Sequence, residues 1–145
     1  LSIDYSKYYF LKAIKAILRQ INPNGAVFPI QHPYPKDLRL REIAAFLNKH
    51  IETSFSLEEV ASTFGLSTRT LSRLFKEDFG ISYVRFLRSI RISKAMELMT
   101  ENKYSILEIA LRVGYAELSS FSNIFYRVTG VRPSDYMTKI HEYKH

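Results

Sequence analysis

The stretches SLEEVASTFG at residues 56–65 and SILEIALRVG at residues 105–114 decide the fold, because they are one phrase written twice, 49 residues apart. Each opens with Ser-x-x-Glu, formed by Ser56 and Glu59 and again by Ser105 and Glu108. That spacing lets the serine hydroxyl and the glutamate carboxylate satisfy free amides at a helix start. Each closes on a glycine, Gly65 or Gly114, which accepts the left-handed backbone that ends a helix. After a one-residue offset in the turn, Leu71, Phe75 and Gly80 match Phe121, Phe125 and Gly130. Both units thus predict a short helix, a tight turn, a longer helix and a glycine stop. This is helix-turn-helix grammar.

Between the two units, Tyr83–Thr100 contains neither glycine nor proline and follows Ser82, a good N-cap. Its 18 or so residues predict a rod of roughly 27 Å that holds the units at a fixed distance. Leu38–Ile51 predicts a supporting helix with Ile43, Phe46, Leu47 and Ile51 on its core face, and Pro133 suits the first turn of a last helix. Residues 5–21 form a further amphipathic helix on the spacing of Leu11, Ile14, Leu18 and Ile21. Residues 22–36 carry Pro23, Pro29, Pro33 and Pro35 and read as a linker. The expected architecture is all-α. It comprises a terminal helix at 1–21 and a linker at 22–36, then a first helix-turn-helix subdomain at 37–82, a connecting helix at 83–100 and a second subdomain at 101–145.

Composition narrows the function. The 145 residues hold no cysteine, so disulfide frameworks, zinc fingers and iron–sulfur sites are excluded. No apolar run approaches the ~20 residues of a membrane span. Phosphate-cradling glycine loops, HExxH and G-x-S-x-G are absent. The histidines His32, His50, His141 and His145 lack metal-ligand spacing. No metal, cofactor or catalytic residue is expected. The sequence opens on Leu1 with no signal-peptide pattern, which reads as a piece of a longer protein. The cluster Tyr5, Tyr8, Tyr9 and Phe10 would then pack on the remainder or on a second copy.

The net charge of +7 and pI near 9.6 suggest a polyanion partner, yet residues 1–36 carry +4 of it. Placement is more informative than the total. On a helix over Thr68–Phe79, Leu71, Leu74, Phe75 and Phe79 share one sector while Arg69, Ser72, Arg73 and Lys76 share the opposite one. Glu77 and Asp78 fall at the C-terminal end, so the half that enters a major groove is purely basic and polar. Arginine binds guanine bidentately, and serine bonds several bases or phosphate. On Leu118–Thr129, the buried stripe is Phe121, Ile124, Phe125 and Val128. Opposite it lie Ser119, Ser122, Asn123 and Tyr126, with Ser120 and Arg127 at the edge. That ridge is almost uncharged near its start, so less sequence discrimination is expected from it. Arg85, Arg88, Arg91 and Lys94 recur every third residue on the connecting helix, as phosphate contacts, partners of Glu97 or caps of neighbouring helices. A helical protein-interaction module with an architectural repeat is the alternative. It has no need of three aligned basic residues.

Residues 38–137 resemble the DNA-binding domain of AraC/XylS-type bacterial transcription regulators. The resemblance rests on A-x-x-x-G-L-S at 61–67, L-S-R-L-F-K at 71–76, G-I-S at 80–82 and R-I-S-K-A-M-E-L-M at 91–99. In the second half it rests on S-I-L-E-I-A-L-R-V-G-Y at 105–115, F-S-N-I-F at 121–125 and G-V-R-P-S-D-Y at 130–136. It implies a sequence-specific double-stranded DNA-binding regulator, not an enzyme, with recognition helices in successive major-groove segments. It implies base contacts from Arg69, Ser72, Arg73, Leu118, Ser119, Ser122 and Asn123. Phosphate contacts are expected from Ser56, Thr68, Thr70, Lys76, Ser105, Ser120, Tyr126 and Arg127. RNA polymerase is an implied partner, dimerisation through a preceding sensing domain an implied assembly, and the cytoplasmic nucleoid the implied location. The sequence departs from the family pattern at Asn123, Tyr126 and Phe86, where arginine, lysine and tyrosine are common.

Overall fold

A computed structural model describes residues 35–143, so the helix expected at 5–21 and nearly all of the linker lie outside the described residues. The described residues form seven helices and no strand: α1 (Leu38–Lys49), α2 (Leu57–Thr63), α3 (Thr68–Phe79), α4 (Tyr83–Glu101), α5 (Ile106–Arg112), α6 (Leu118–Thr129) and α7 (Pro133–Tyr143). The all-α expectation holds.

Local chemistry sets the helix ends. Ser56 Oγ accepts from the Glu59 amide at 3.1 Å while the Glu59 carboxylate accepts from the Ser56 amide at 3.1 Å. The same reciprocal pair recurs at Ser105 and Glu108, at 3.1 and 3.3 Å. Each box satisfies two amides that the first helical turn would otherwise leave open. Ser67 and Ser82 cap α3 and α4 by accepting from Thr70 and Arg85 amides. Gly80 and Gly130 end α3 and α6 in the left-handed region, at φ 74° and 83°. α1 stops at Lys49, two residues short of the expected Ile51, where His50 leaves the helical region at φ −111° and ψ 42° and the Thr53 amide turns back to the His50 carbonyl at 3.0 Å. Ile51 is nevertheless buried, just outside the helix.

Two cores follow. The first packs Leu40, Ile43 and Leu47 of α1 on Val60 and Ala61 of α2 and on Leu71, Leu74, Phe75 and Phe79 of α3. The second packs Ile109 and Ala110 of α5 on Phe121 and Phe125 of α6 and on Tyr136 and Ile140 of α7. α4 serves both. Its first half gives Tyr83, Phe86 and Ile90 to one core, with Phe86 stacked on Phe79 at 4.5 Å between ring centroids. Its second half gives Ile92, Ala95, Met96, Leu98 and Met99 to the other. Five consecutive residues, Ser89–Ser93, are buried. A surface helix buries one stripe and wets the rest, whereas the middle of α4 has no wet face.

Removing the aromatic ring at Phe125 deletes a fully buried side chain packed against Phe121 and Tyr136. Phe125→Ala is expected to cost about 3–5 kcal/mol of unfolding free energy in denaturant melts. Tyr136 behaves differently. Its ring is fully buried, but its hydroxyl finds no partner among the described residues, and burial pushes the phenol pKa far above its ordinary value. Burial also raises Tyr83 and Tyr115, opposed in part by the Arg91 charge. In the unfolded chain these phenols ionise near pH 10, whereas the folded protein holds them neutral to higher pH. Their contribution is therefore present in full below pH 10 and is lost as pH rises through the folded values. Tyr136→Phe is expected to be neutral or slightly stabilising at pH 8 and to move alkaline unfolding, followed by circular dichroism, to higher pH.

Candidate nucleic-acid interface

α3 presents its charge as its periodicity requires. Leu71, Leu74, Phe75 and Phe79 are buried, while Thr68, Arg69, Ser72, Arg73 and Lys76 are exposed on the opposite side. The capping serine fixes the first turn. Ser67 Oγ accepts from the Thr70 amide at 3.1 Å and donates to Thr70 Oγ1 at 2.9 Å, so the half-buried Thr70 hydroxyl is already engaged. The two acids of the last turns have separate fates. Asp78 turns away, its carboxylate accepting from the Asp37 amide at 2.9 Å. Glu77 stays on the surface and pairs with Arg73 at 3.2 Å, both side chains being more than half exposed. An exposed pair one helical turn apart stabilises by about 0.3–0.5 kcal/mol, whereas a bidentate arginine–guanine contact is worth about 1–3 kcal/mol. Arg73 is held in place without being locked.

α6 carries a different ridge. Leu118, Ser119, Ser120, Asn123, Tyr126 and Arg127 are exposed and Ser122 is half-buried, over a floor of Phe121 and Phe125. Ile124 and Val128, expected in the buried stripe, are only partly covered and pack at the edge of the second core. Glu117 occupies the N-cap with no side-chain bond, so the start of α6 carries an exposed acid where the start of α3 carries none. At the far end, the Arg132 guanidinium lies 4.4 Å from the Tyr126 ring centroid. This cation was invisible to helical periodicity because it follows Gly130, whose left-handed turn swings the chain back over α6. Positive charge thus gathers at the C-terminal end of the second ridge, with Arg127 and Arg132, and along the N-terminal half of the first.

Ser56 and Ser105 are exposed at the starts of α2 and α5. Each oxygen already accepts an amide hydrogen, leaving the hydroxyl hydrogen for a phosphate acceptor. The arginine stripe on α4 resolves into separate roles. Arg85 is exposed, Lys94 pairs with Glu97 at 3.4 Å, and Arg91 is buried. None of the fifteen residues expected to contact DNA lies in a core. The chemistry on offer is hydrogen-bond donation and cationic attraction from two polar ridges of equal length.

Residues 60–139, more than half of the chain, match the family model described as a helix-turn-helix domain. The HTH-type transcriptional activator RhaS of Klebsiella pneumoniae (strain 342) is 36% identical over 99 residues, covering 68% of this chain and 36% of that protein. The chain therefore spans about a third of the length of the curated relatives it matches. Among solved structures, the C-terminal domain of AraT, a response regulator from Geobacillus stearothermophilus, is 36% identical with a TM-score of 0.67, covering 70% of this chain and 85% of that one. The DNA-binding domain of AdpA, a global transcriptional factor, in complex with a target DNA is 26% identical with a TM-score of 0.69, covering 73% and 96%. An AraC-type DNA-binding-domain regulator from Chromobacterium violaceum is 25% identical with a TM-score of 0.66, covering 70% and 91%. On sequence, helix order and fold alike, the chain belongs to the AraC-type family of helix-turn-helix DNA-binding domains.

Proposed function

We propose that this chain is the operator-reading part of a bacterial transcription regulator that works as an activator, with α3 and α6 lying in successive major-groove segments on one face of the duplex. The observation that carries this reading is the exposed, purely basic and polar N-terminal half of α3, repeated in position by the ridge of α6. Arg69, Ser72 and Arg73 read base edges from the first ridge, and Leu118, Ser119, Ser122 and Asn123 from the second. Arginine suits guanine, asparagine suits adenine, and the exposed Leu118 suits a thymine methyl. Lys76, Thr68, Thr70 and Ser56 hold phosphates on one side, and Ser105, Ser120, Tyr126 and Arg127 on the other, fixing register without reading sequence. α4, at about 28 Å, is comparable in length with one turn of B-DNA, about 34 Å.

The protein containing this chain acts on DNA in the cytoplasm, without catalysis, and touches RNA polymerase once bound. A dimer formed through the residues ahead of this domain would double the phosphate contacts. The alternative, a protein-interaction module, leaves the alignment of Arg69, Arg73 and Lys76 without a purpose.

Selection of bound duplexes from a random pool, followed by titration at several salt concentrations, tests the reading. Arg73→Ala is expected to weaken binding by about 1–3 kcal/mol and to relax preference at one base pair. Lys76→Ala is expected to weaken all sequences alike and to lower the slope of log K against log salt by about 1. Uniform weakening by Arg73→Ala would reassign that arginine to phosphate. Salt-independent binding to a protein, with none to DNA, would establish the interaction module instead.

A further inference from the structure

Arg91 stands in the middle of α4 and is 7% exposed, and its guanidinium reaches into the first subdomain. Nε donates to the Ile51 carbonyl at 3.2 Å, and Nη2 donates to the Thr53 carbonyl at 3.3 Å and to Ser54 Oγ at 3.1 Å. All three acceptors lie in the connection between α1 and α2, just past the negative end of the α1 dipole. The other side of the same guanidinium meets the second subdomain. A Cβ added to Gly114, in the turn between α5 and α6, would stand 2.9 Å from Arg91 Cζ, 2.9 Å from Nη2 and 2.9 Å from the Ile51 carbonyl. The Tyr115 ring centroid is 5.5 Å away. One planar cation is thus held between the loop that precedes the first helix-turn-helix and the turn inside the second.

Such a placement is costly as packing. No ion pair among the described residues includes Arg91, and a buried cation compensated only by neutral acceptors is less favourable than an apolar side chain of similar volume. What the guanidinium supplies is direction. Apolar contacts are non-directional and tolerate sliding, whereas a planar fork donating to three acceptors loses its bonds when the first subdomain turns about α4. The guanidinium so fixed leaves Gly114 and Tyr115 of the second subdomain one close-packed seat against it. The two cores share α4, and beyond it the subdomains meet where Gly114 approaches the Ile51 carbonyl. A rotation of about 10° about that helix would displace an element packed roughly 10 Å away by nearly 2 Å, well beyond the ~0.5 Å within which a recognition constellation must be held. We propose that Arg91 is the positioning residue that sets the angle between the two recognition helices, and so the single spacing of base-pair segments they accept. The spacing half of this inference rests on the two-segment reading above, while the angular half does not.

The chain has no cysteine, which permits paired spin labels in the full-length chain through Ser62→Cys on α2 and Ser134→Cys on α7, both exposed positions. The unaltered Arg91 protein should give one narrow inter-label distance distribution by pulsed electron paramagnetic resonance. Arg91→Lys, which keeps the charge but not the fork, and Arg91→Met should each broaden it at least twofold while leaving helix content unchanged. On duplexes selected by the unaltered protein, inserting or deleting one base pair between the two contacted segments should cost that protein at least tenfold in affinity. Arg91→Met should bind the parent duplex more weakly, yet lose less than threefold on either change. A narrow distribution together with an unreduced spacing penalty in both variants overturns the proposal. Indifference of the unaltered protein to spacing overturns the two-segment reading alone, and the distance measurement then judges the clamp by itself. Should Arg91→Met fail to fold, Arg91→Lys and Ser54→Ala, which removes one of the three acceptors, carry the same measurements.

Discussion

The constraint on which the rest depends is that α4 is buried from both ends toward its middle. Ser89 to Ser93 have no solvent-facing side, so two hydrophobic cores must be assembled on one helix with their contacts meeting at a single point. That arrangement makes each subdomain small and still adequately packed. Each core closes its own short helices against one half of α4. The polar residues at the meeting point follow from the same geometry. Ser89 and Ser93 donate back to carbonyls four residues earlier in their own helix, and Arg91 donates outward to the neighbouring loop. Every buried donor named there has an acceptor, as a dry helix centre demands.

On that shared frame the two repeats have diverged in what they show to solvent while keeping what they bury. Phe75 and Phe125 occupy equivalent buried places, as do Leu71 and Phe121. The outer ridges differ: cations line the first from its beginning, whereas the second begins beside Glu117 and gathers Arg127 and Arg132 near its end. A ridge with cations at its groove-entering half suits guanine recognition and strong phosphate attraction. A ridge of serines and an asparagine makes fewer charge-assisted bonds and leans on fit. Division of labour between two copies of one motif is the simplest physical account of that asymmetry.

Much of this was legible in the sequence because it was local. The two Ser-x-x-Glu boxes, the glycine stops and the apolar stripe of α3 all express rules that act within four or five residues, and each stands where the sequence puts it. The residues expected to meet bases were legible as the polar side of each longer helix, charged on α3 and nearly uncharged on α6, and all but the half-buried Ser122 are exposed. What sequence could not show was long-range. Arg85, Arg88, Arg91 and Lys94 form one regular series on paper, and only the folding of residues 51–54 and 114–115 against the third member separates it from the others. Arg132 likewise acquires its place over Tyr126 from a backbone turn rather than from helical spacing. The end of α1 was misplaced for a related reason: Ile51 is apolar because it is buried by tertiary packing, not because it continues a helix.

The joint between Asp37 and Asp78 has a mechanical consequence. The Asp37 side chain caps α1 by accepting from the Arg39 and Leu40 amides, while its own amide is bonded to the last turns of α3. Arg41 Nε adds a tie to the Pro35 carbonyl at 2.6 Å. A pull on the polypeptide ahead of Pro35 is therefore shared at once between α1 and α3 of the first repeat, and reaches the second through α4 and the contact of Arg91 with Gly114 and Tyr115. Whatever is coupled to the leading end of this domain has its shortest line of force to the more cationic of the two ridges.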